Sequence, residues 1–378
     1  MKKIGKQVLL LTTNETNLRN GESAMIRLKN GRIMHAYTEF YGADWLDHAP
    51  SRISAVFSDD EGESWSSPRV LIDKPQNAQN IMAPSLLRLA DGGLGIVYGQ
   101  KEVQADGCVT AMPLFSRSDD EGESFNDPIV CGMPLGYYCT INDGAFVTAD
   151  GKIYLPMSYH GERYDAFHRM KEPPHHEGRV RLACSEDNGR TWHALAHIFE
   201  TPFPDKVGFA EPGIYAHENG DLWMYCRTAY GHQYDSVSTD GGKTWSQALP
   251  NSRFTSPDAP MRVKKLDGVA VAVFNPDPFR CTTENTELWG SPKRTPLVIS
   301  FSKKDGQDFH DRGRAIPDSS FDEFVKNTYY LENDPNNSFC YPAVLQTRDG
   351  FLVSYYYSNG SHICLNATKI TKIYNEEL

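Results

Sequence analysis

The sequence has little that would suit a membrane protein or a nucleic-acid-binding protein. No apolar run approaches the roughly 18 residues of a transmembrane helix, and the N-terminal segment turns polar after one short apolar run. No run of Lys or Arg occurs, and the formal net charge is -11, whereas phosphate binding needs a basic patch. The sequence therefore predicts no secretory signal, no membrane partner and no nucleic-acid partner, which leaves a small molecule or a sugar.

Cysteine is present, but not in a pattern that binds metal or builds a disulfide framework. The eight cysteines form no CxxC pair, and most lie within apolar runs, as buried thiols do. We therefore predict no metal, no cofactor and a reducing, cytoplasmic location. No linker or shift in composition divides the chain, so residues 1–378 are predicted to form a single domain.

A repeated hairpin pattern fills the chain. An apolar run, a turn and a second apolar run recur six times, with Asp-Gly or Asn-Gly at every turn. The turns lie at Gly31, Gly92, Gly151, Gly220, Gly268 and Gly350. Six copies predict six β-hairpins.

A second pattern, S-x-D-x-G-x-[S/T]-[W/F], alternates with the hairpins about every 60 residues. In such a turn the Asp and Ser side chains bond local backbone N–H groups, while the aromatic residue packs into the core. Calcium ligation is not predicted here, because the flanks are strands and the bidentate Glu is absent. Four copies begin at Ser58, Ser118, Ser185 and Ser238, and a degenerate fifth copy spans Ser302 to Phe309.

Two hairpins per period make a four-stranded antiparallel sheet, and six such sheets account for nearly the whole chain. The predicted fold class is all-β, a six-bladed β-propeller with four-stranded antiparallel blades. Both kinds of turn lie on one face of such a blade, so a site is expected on the opposite face. That face includes Glu39 to His48, Arg52, Asn80, Asn142, Asp143, Ser158 to Arg179, Glu211, Arg227, Asp258, Arg280, Arg294 and Tyr341.

The S-x-D-x-G boxes and the hairpin period resemble those of the sialidase, or neuraminidase, superfamily. The resemblance covers most of the chain and implies an exo-acting retaining glycoside hydrolase. Tyr341 in CYPAV stands where the family has its catalytic tyrosine, and Glu211 in AEPG where it has the partner glutamate. A neutral tyrosine approaches an anomeric carbon beside an anionic group without repulsion, and the glutamate accepts its proton.

The resemblance also implies a carboxylate clamp and a proton donor. Arg227 and Arg294 match two of the three family arginines, whose guanidinium groups bind a carboxylate bidentately. Ser23 and Ala24 stand where the family has its first arginine. Asp47 fits the general acid best and Asp44 is the second choice. Further predicted substrate-binding residues are His48, Arg52, Asn142, Asp143, His160 and Arg280.

The leading hypothesis is release of a terminal sialic or related sugar acid. A lyase or hydrolase of the same fold acting on a uronic acid or another sugar is an alternative, favoured by the missing arginine. A lyase would use a Tyr/His pair, for which His160 or His232 is available. A carbohydrate-binding propeller without catalysis is the other alternative. A carbohydrate, in particular an acidic sugar, is the predicted partner in the leading hypothesis.

Overall fold

The computed structural model describes residues 1–42, 44–161, 178–201, 207–277, 294–311, 319–358 and 367–378. These residues form strands, one α-helix and one short 3-10 helix. The elements are β1 Lys6–Leu11, β2 Arg19–Arg27, β3 Ile33–Phe40, β4 Ser51–Ser58, β5 Arg69–Ile72, β6 Asn80–Arg88, β7 Leu94–Val103, β8 Val109–Ser118, β9 Ile129–Val130, β10 Tyr138–Thr140, β11 Phe146–Val147, β12 Ile153–Tyr159, β13 Arg179–Ser185, β14 His193–Ala194, β15 Ala210–Ala216, β16 Leu222–Arg227, β17 His232–Ser238, β18 Leu249–Thr255, β19 Arg262–Leu266, β20 Val269–Phe274, β21 Leu297–Ser302, α1 Ser319–Lys326, β22 Thr328–Glu332, β23 Phe339–Gln346, β24 Gly350–Tyr357, β25 Ala367–Tyr374 and the 3-10 helix Asn375–Glu377.

The strands form six sheets in which consecutive strands are hydrogen-bonded neighbours, except that β10 and β11 both pair with β12. The sheets are β2–β5, β6–β9, β10–β14, β15–β18, β19–β22 and β23–β25, and β1 pairs with β25 to complete the last one. Six consecutive antiparallel sheets of this kind make the fold class a six-bladed β-propeller, as the repeats predicted. All six predicted hairpins are present as the first two strands of their sheets.

The third sheet departs from the predicted four strands. Its first position is shared by the two short strands β10 and β11, which both pair with β12, so the sheet has five strands. Asp143 lies between them with a φ of 53°, a conformation that breaks the extended line of the strand.

The S-x-D-x-G turns follow the third strand of their sheets and hold themselves together locally. In the first copy, Ser58 Oγ accepts the N–H of Gly62 at 2.8 Å, and Asp60 Oδ1 accepts the N–H of Ser64 at 2.9 Å. The degenerate fifth copy keeps this plan, because Gly306 N–H donates to Ser302 Oγ at 3.1 Å. The pattern therefore has a structural role in every copy.

The described chain divides into two compact units, named here the first unit, Leu11–Pro212, and the second unit, Met1–Leu10 with Gly213–Leu378. Within each unit the apolar core lies between neighbouring sheets, as Ile26 with Leu94 in the first and Trp223 with Phe274 in the second illustrate. Full burial of such side chains stabilises the fold by about 2–3 kcal/mol each. The single domain stays a prediction.

Candidate active site

A strained residue lies in the first strand of each sheet or within a few residues of it. These residues have positive φ although none is glycine, which is uncommon and is often found at functional sites. In β2, β6 and β23 the strand pairing breaks at this residue, as in a β-bulge. The six are Glu22 (φ 49°), Ala83 (56°), Asp143 (53°), Glu211 (46°), Asp258 (27°) and Tyr341 (54°).

In the second unit, the predicted nucleophile and both predicted clamp arginines lie together. The half-buried Tyr341 hydroxyl is 3.5 Å from Nη1 of Arg227, which ends β16. The guanidinium of Arg294 lies 5.6 Å from the centre of the Tyr341 ring, and Arg294 is buried. A cation so close to a phenol stabilises the phenolate form that a nucleophilic tyrosine must reach.

Asp258, which the sequence placed on the expected site face without a role, binds both arginines. Nε of Arg227 donates to the Asp258 carboxylate at 2.5 Å, and Nη2 of Arg294 donates to the Asp258 backbone carbonyl at 3.0 Å. Burial raises the pKa of Asp258, but the charge and hydrogen bond of Arg227 and the charge of Arg294 together outweigh burial, so the pKa lies below its ordinary value. Two positive charges and one negative charge therefore surround Tyr341.

Glu211 belongs to the first unit, and its pairing with Tyr341, which belongs to the second, stays a prediction. Its backbone N–H donates to Ser158 Oγ at 2.7 Å, which holds the strained residue at the start of β15. The side chain is half-buried. Its negative charge is one of those that raise the pKa of Glu22.

Arg19 links two carboxyl groups of the first unit. Its Nη1 donates to Asp47 Oδ1 at 2.5 Å, and its Nη2 donates to Glu22 Oε1 at 2.8 Å. The Asp47 side chain is exposed to solvent, so burial costs its carboxylate little, and the charges of Arg19 and Lys101 hold the pKa of Asp47 below its ordinary value. This aspartate, the predicted general acid, is therefore ionised at neutral pH.

Glu22, unlike Asp47, has a raised pKa. Only 5% of this residue is exposed, and burial raises its pKa to about 7 although the Arg19 charge lowers it. The buried Lys101 donates to the backbone carbonyl of Asp47 at 2.8 Å, as does Asn80. Glu22 and Asp47 thus lie in one network with very different proton affinities.

The remaining predicted residues differ in their surroundings. Asp44 is exposed and caps a turn through the Leu46 N–H, and Arg52 makes a bidentate ion pair with Glu39. Burial, assisted by Lys101, lowers the pKa of His48 to about 4. Arg280 lies outside the described residues.

Three predicted residues of the first unit are held by backbone contacts. Asn142 Nδ2 donates to the Ser23 carbonyl at 2.7 Å, and the Asp143 N–H donates to the Pro84 carbonyl at 3.0 Å. The His160 ring packs edge-on against Tyr137. These contacts fit a structural role for Asn142 and leave the substrate-binding predictions untested.

Arg19, Glu22 and Lys101 were not predicted as site residues from the sequence, and Asp258 was placed on the expected site face without a role. A signal for Glu22 was present, because NGESA places a carboxyl residue at the strand start as FAEPG does for Glu211. Within the described ranges, no group of three or more His, Cys, Asp or Glu side chains is arranged to hold a metal ion. The six cysteines that the structure describes are free thiols.

The repeats, the sheets and a family comparison all indicate the same kind of repeat domain. Residues 50–353 match the family described as a BNR repeat-like domain. The chain belongs to this family. As the resemblance implied, this BNR repeat-like propeller has sialidases among its structural neighbours, and a search of curated proteins found no match. No helix within the described residues is long and apolar enough to cross a membrane.

Three solved structures illustrate the likeness of this BNR repeat-like chain. A Dyadobacter fermentans protein of unknown function is 21% identical, with a TM-score of 0.73 and 98% of each chain covered. The intramolecular trans-sialidase of Ruminococcus gnavus, in complex with oseltamivir carboxylate, is 14% identical, with a TM-score of 0.66, over 97% of this chain and 96% of that one. A Trypanosoma rangeli sialidase in complex with 2,3-difluorosialic acid, as a covalent intermediate, is 14% identical, with a TM-score of 0.66, over 97% of this chain and 59% of that one.

Proposed function

We propose that this chain is a retaining glycoside hydrolase of the sialidase type, which releases a terminal sialic or related sugar acid. The observation that carries the proposal is the group of Tyr341, Arg227 and Arg294 in the second unit. A phenol with two guanidinium groups around it suits a substrate that bears a carboxylate beside its anomeric carbon. The sialidase neighbours, one of them in a covalent intermediate, support the same class of reaction.

In the proposed reaction the phenolic oxygen of Tyr341 attacks the anomeric carbon, and Glu211 accepts the phenolic proton. Arg227 and Arg294 orient the substrate carboxylate and favour the phenolate as it forms. The bond to the leaving oxygen breaks, and the leaving oxygen takes a proton from a general acid. Water then attacks the glycosyl–tyrosine intermediate and regenerates the enzyme with retained configuration.

The test is turnover of aryl glycosides of several sugar acids, followed by peptide mapping after reaction with a fluorinated sugar acid. We expect release of the aryl alcohol from at least one of them, and a covalent adduct on Tyr341. Failure to hydrolyse any of them, or an adduct on another residue, would contradict the proposed function or its nucleophile.

A neutral sugar or a uronic acid is the second candidate substrate, and one observation favours it. The Asp258 carboxylate lies 2.5 Å from Nε of Arg227, so the protein itself already neutralises part of the positive charge. Ser23 and Ala24 supply no third arginine. Aryl glycosides of neutral sugars and of uronic acids belong in the same screen, and preferred turnover of one of these would select this candidate.

A further inference from the structure

The fifth S-x-D-x-G turn differs from the other four in which residues bond locally. In the four complete copies, the Asp at the third position accepts the N–H of the Ser or Thr four residues later. In the fifth copy Lys304 stands at the third position, and Asp308 accepts the hydroxyl of Ser302 instead. The carboxylate of the next residue, Asp305, contacts the neighbouring sheet.

Asp305 joins the fifth turn to the β15–β16 hairpin of the fourth sheet. Its Oδ1 accepts the Tyr215 hydroxyl at 2.8 Å, and its Oδ2 accepts the Glu218 N–H at 2.6 Å. Nζ of Lys265 donates to Oδ1 at 3.0 Å. All of these residues belong to the second unit, and the four are named here the inter-sheet contact.

The first unit contains a similar contact that has no histidine. Glu121, at the same position of its own turn as Asp305, accepts the Lys29 N–H of the first hairpin at 2.7 Å. Leu28 precedes Lys29, whereas His217 precedes Glu218 and makes the same two turn hydrogen bonds as Leu28. Because the hairpin forms with leucine at this position, the histidine calls for a reason other than the fold.

His217 shares a hydrogen bond with a second histidine, His310. Both residues are buried, and their Nε2 atoms lie 3.0 Å apart. Nδ1 of His217 lies 2.8 Å from the Asp305 carbonyl, which can only accept, so this nitrogen carries a proton. That carbonyl is nearer to Nδ1 than the Gln307 amide nitrogen, at 3.1 Å. In a neutral pair, Nε2 of His217 is therefore the acceptor and Nε2 of His310 the donor.

Only one proton fits between the two Nε2 atoms. A first additional proton can be shared, because one ring then donates while the other accepts. A second additional proton gives each Nε2 its own hydrogen, so that two N–H groups face each other at 3.0 Å. Separated rings bind both protons, and acid therefore favours separation of His217 from His310.

The groups around the pair do not remove this conflict. Oδ2 of Asp305 lies 3.7 Å from Nδ1 of His217, which favours the first positive charge only. Burial raises the pKa of Asp305, but hydrogen bonds from the inter-sheet contact outweigh burial and hold the pKa below its ordinary value, so Asp305 stays ionised while histidines titrate. The titratable residues that pack around the pair or bind its neighbours are Tyr215, Glu218, Asp235, Lys265, Asp305 and Asp308.

We propose that the His217–His310 pair makes the inter-sheet contact acid-sensitive. Near neutral pH the pair holds the β15–β16 hairpin against the fifth S-x-D-x-G turn, and protonation of both rings releases the hairpin. The inference does not depend on the proposed function, because the pair lies at the turn ends of β15 and β21 and includes no residue of the proposed reaction.

The test is hydrogen exchange of the Glu218 amide in the full chain at about pH 7.5 and about pH 5, corrected for the intrinsic effect of pH. These values lie on either side of the usual histidine titration. We expect Glu218 to lose about 10-fold in protection at the lower pH. The Lys29 amide, which donates to Glu121 in the contact without histidine, is the internal control and should keep its protection.

His310→Gln is the matched variant. A glutamine amide can turn to donate to Nε2 of His217 or to accept from it, so it suits both protonation states. His217→Leu supplies the residue that the first hairpin carries as Leu28. In both variants we expect the protection of the Glu218 amide to change by about 2-fold or less between the two pH values.

Protection of Glu218 that does not change with pH in the wild type would overturn the inference. An equal acid-induced loss in wild type and in both variants would also overturn it, because carboxyl groups would then be responsible. Nitrogen NMR of histidine-labelled wild type needs no variant: we expect His217 and His310 to titrate in two separate steps, and two independent, identical titrations would contradict the shared proton.

Discussion

The hydroxyl oxygen of Tyr341 lies 3.5 Å from Nη1 of Arg227, although 114 residues separate them in the chain. Tyr341 lies near the start of β23 with a positive φ, and Arg227 ends the second strand of the fourth sheet. The contact places a permanent positive charge beside the phenol.

Tyr341→Phe removes the phenolic oxygen and keeps the aromatic ring that packs against Tyr356. Turnover should fall by several orders of magnitude while substrate binding persists, since only the nucleophile is lost. Single-turnover kinetics and calorimetry check both parts. Tyr357→Phe, which removes a phenol from β24 of the same sheet, should be close to wild type; near-normal turnover of Tyr341→Phe would exclude the tyrosyl mechanism.

Glu211→Gln keeps the shape of the side chain and removes its ability to accept a proton. Its turnover should fall about as far as that of Tyr341→Phe. The double variant should be hardly slower than either single variant, because two groups that act as a unit are not additive. If the loss in kcat of the double variant equalled the product of the two single losses, Glu211 would not act on Tyr341.

Arg227→Ala should weaken binding of an acidic substrate analogue by about 2–5 kcal/mol, because the carboxylate loses a charged partner. A neutral analogue should lose far less. Arg294→Ala should show the same contrast, measured by titration calorimetry. Equal losses for acidic and neutral analogues would exclude an anionic substrate.

Asp258→Asn removes a negative charge beside Arg227, whereas Arg227→Ala removes a positive one. It removes the carboxylate that neutralises Arg227, so an acidic analogue should bind more tightly while a neutral analogue changes little. The same calorimetric titrations measure this, with wild type as reference. Weaker binding of the acidic analogue would show that Asp258 serves to orient Arg227.

The S-x-D-x-G turns should affect stability and not chemistry. Ser238→Ala leaves the buried Gly242 N–H without its acceptor, which should lower the free energy of unfolding by about 1–2 kcal/mol. Asp240→Ala should also be destabilising, since it removes acceptors for Thr244. Chemical denaturation checks this, with the exposed Thr239→Ala as control; complete loss of turnover in a fully folded sample would be unexpected.

The raised pKa of Glu22 predicts a pH dependence of stability. Its pKa rises from 4.5 to about 7 on folding, so the folded state holds a proton that the unfolded state has lost between these values. The stabilisation from Glu22 is therefore complete below pH about 4.5 and falls by about 3 kcal/mol as pH rises through about 7. Chemical denaturation at several pH values gives the free energies of unfolding of wild type and of Glu22→Gln, and their difference isolates this slope. A difference that does not change with pH would contradict the raised pKa.

The sequence by itself determined the repeat and with it the fold class. The turns from Ser58 to Trp65 and at Gly31 are stabilised by hydrogen bonds between residues at most four positions apart. Such local patterns are visible in a single sequence, and their number and alternation determine the number of sheets. The repeat also placed Tyr341, Arg227 and Arg294 near strand ends on one face, and their functional roles stay a prediction.

Only the tertiary structure decided which carboxyl groups are ionised. Asp47 is held ionised by an arginine 28 residues away, and Asp258 pairs with an arginine 31 residues away. Glu22 was missed because Ser23 follows it where proline follows Glu211 and Tyr341. Its proton affinity comes from burial and from charges on distant strands and loops, and long-range electrostatics of this kind depend on distances that exist only in the folded chain.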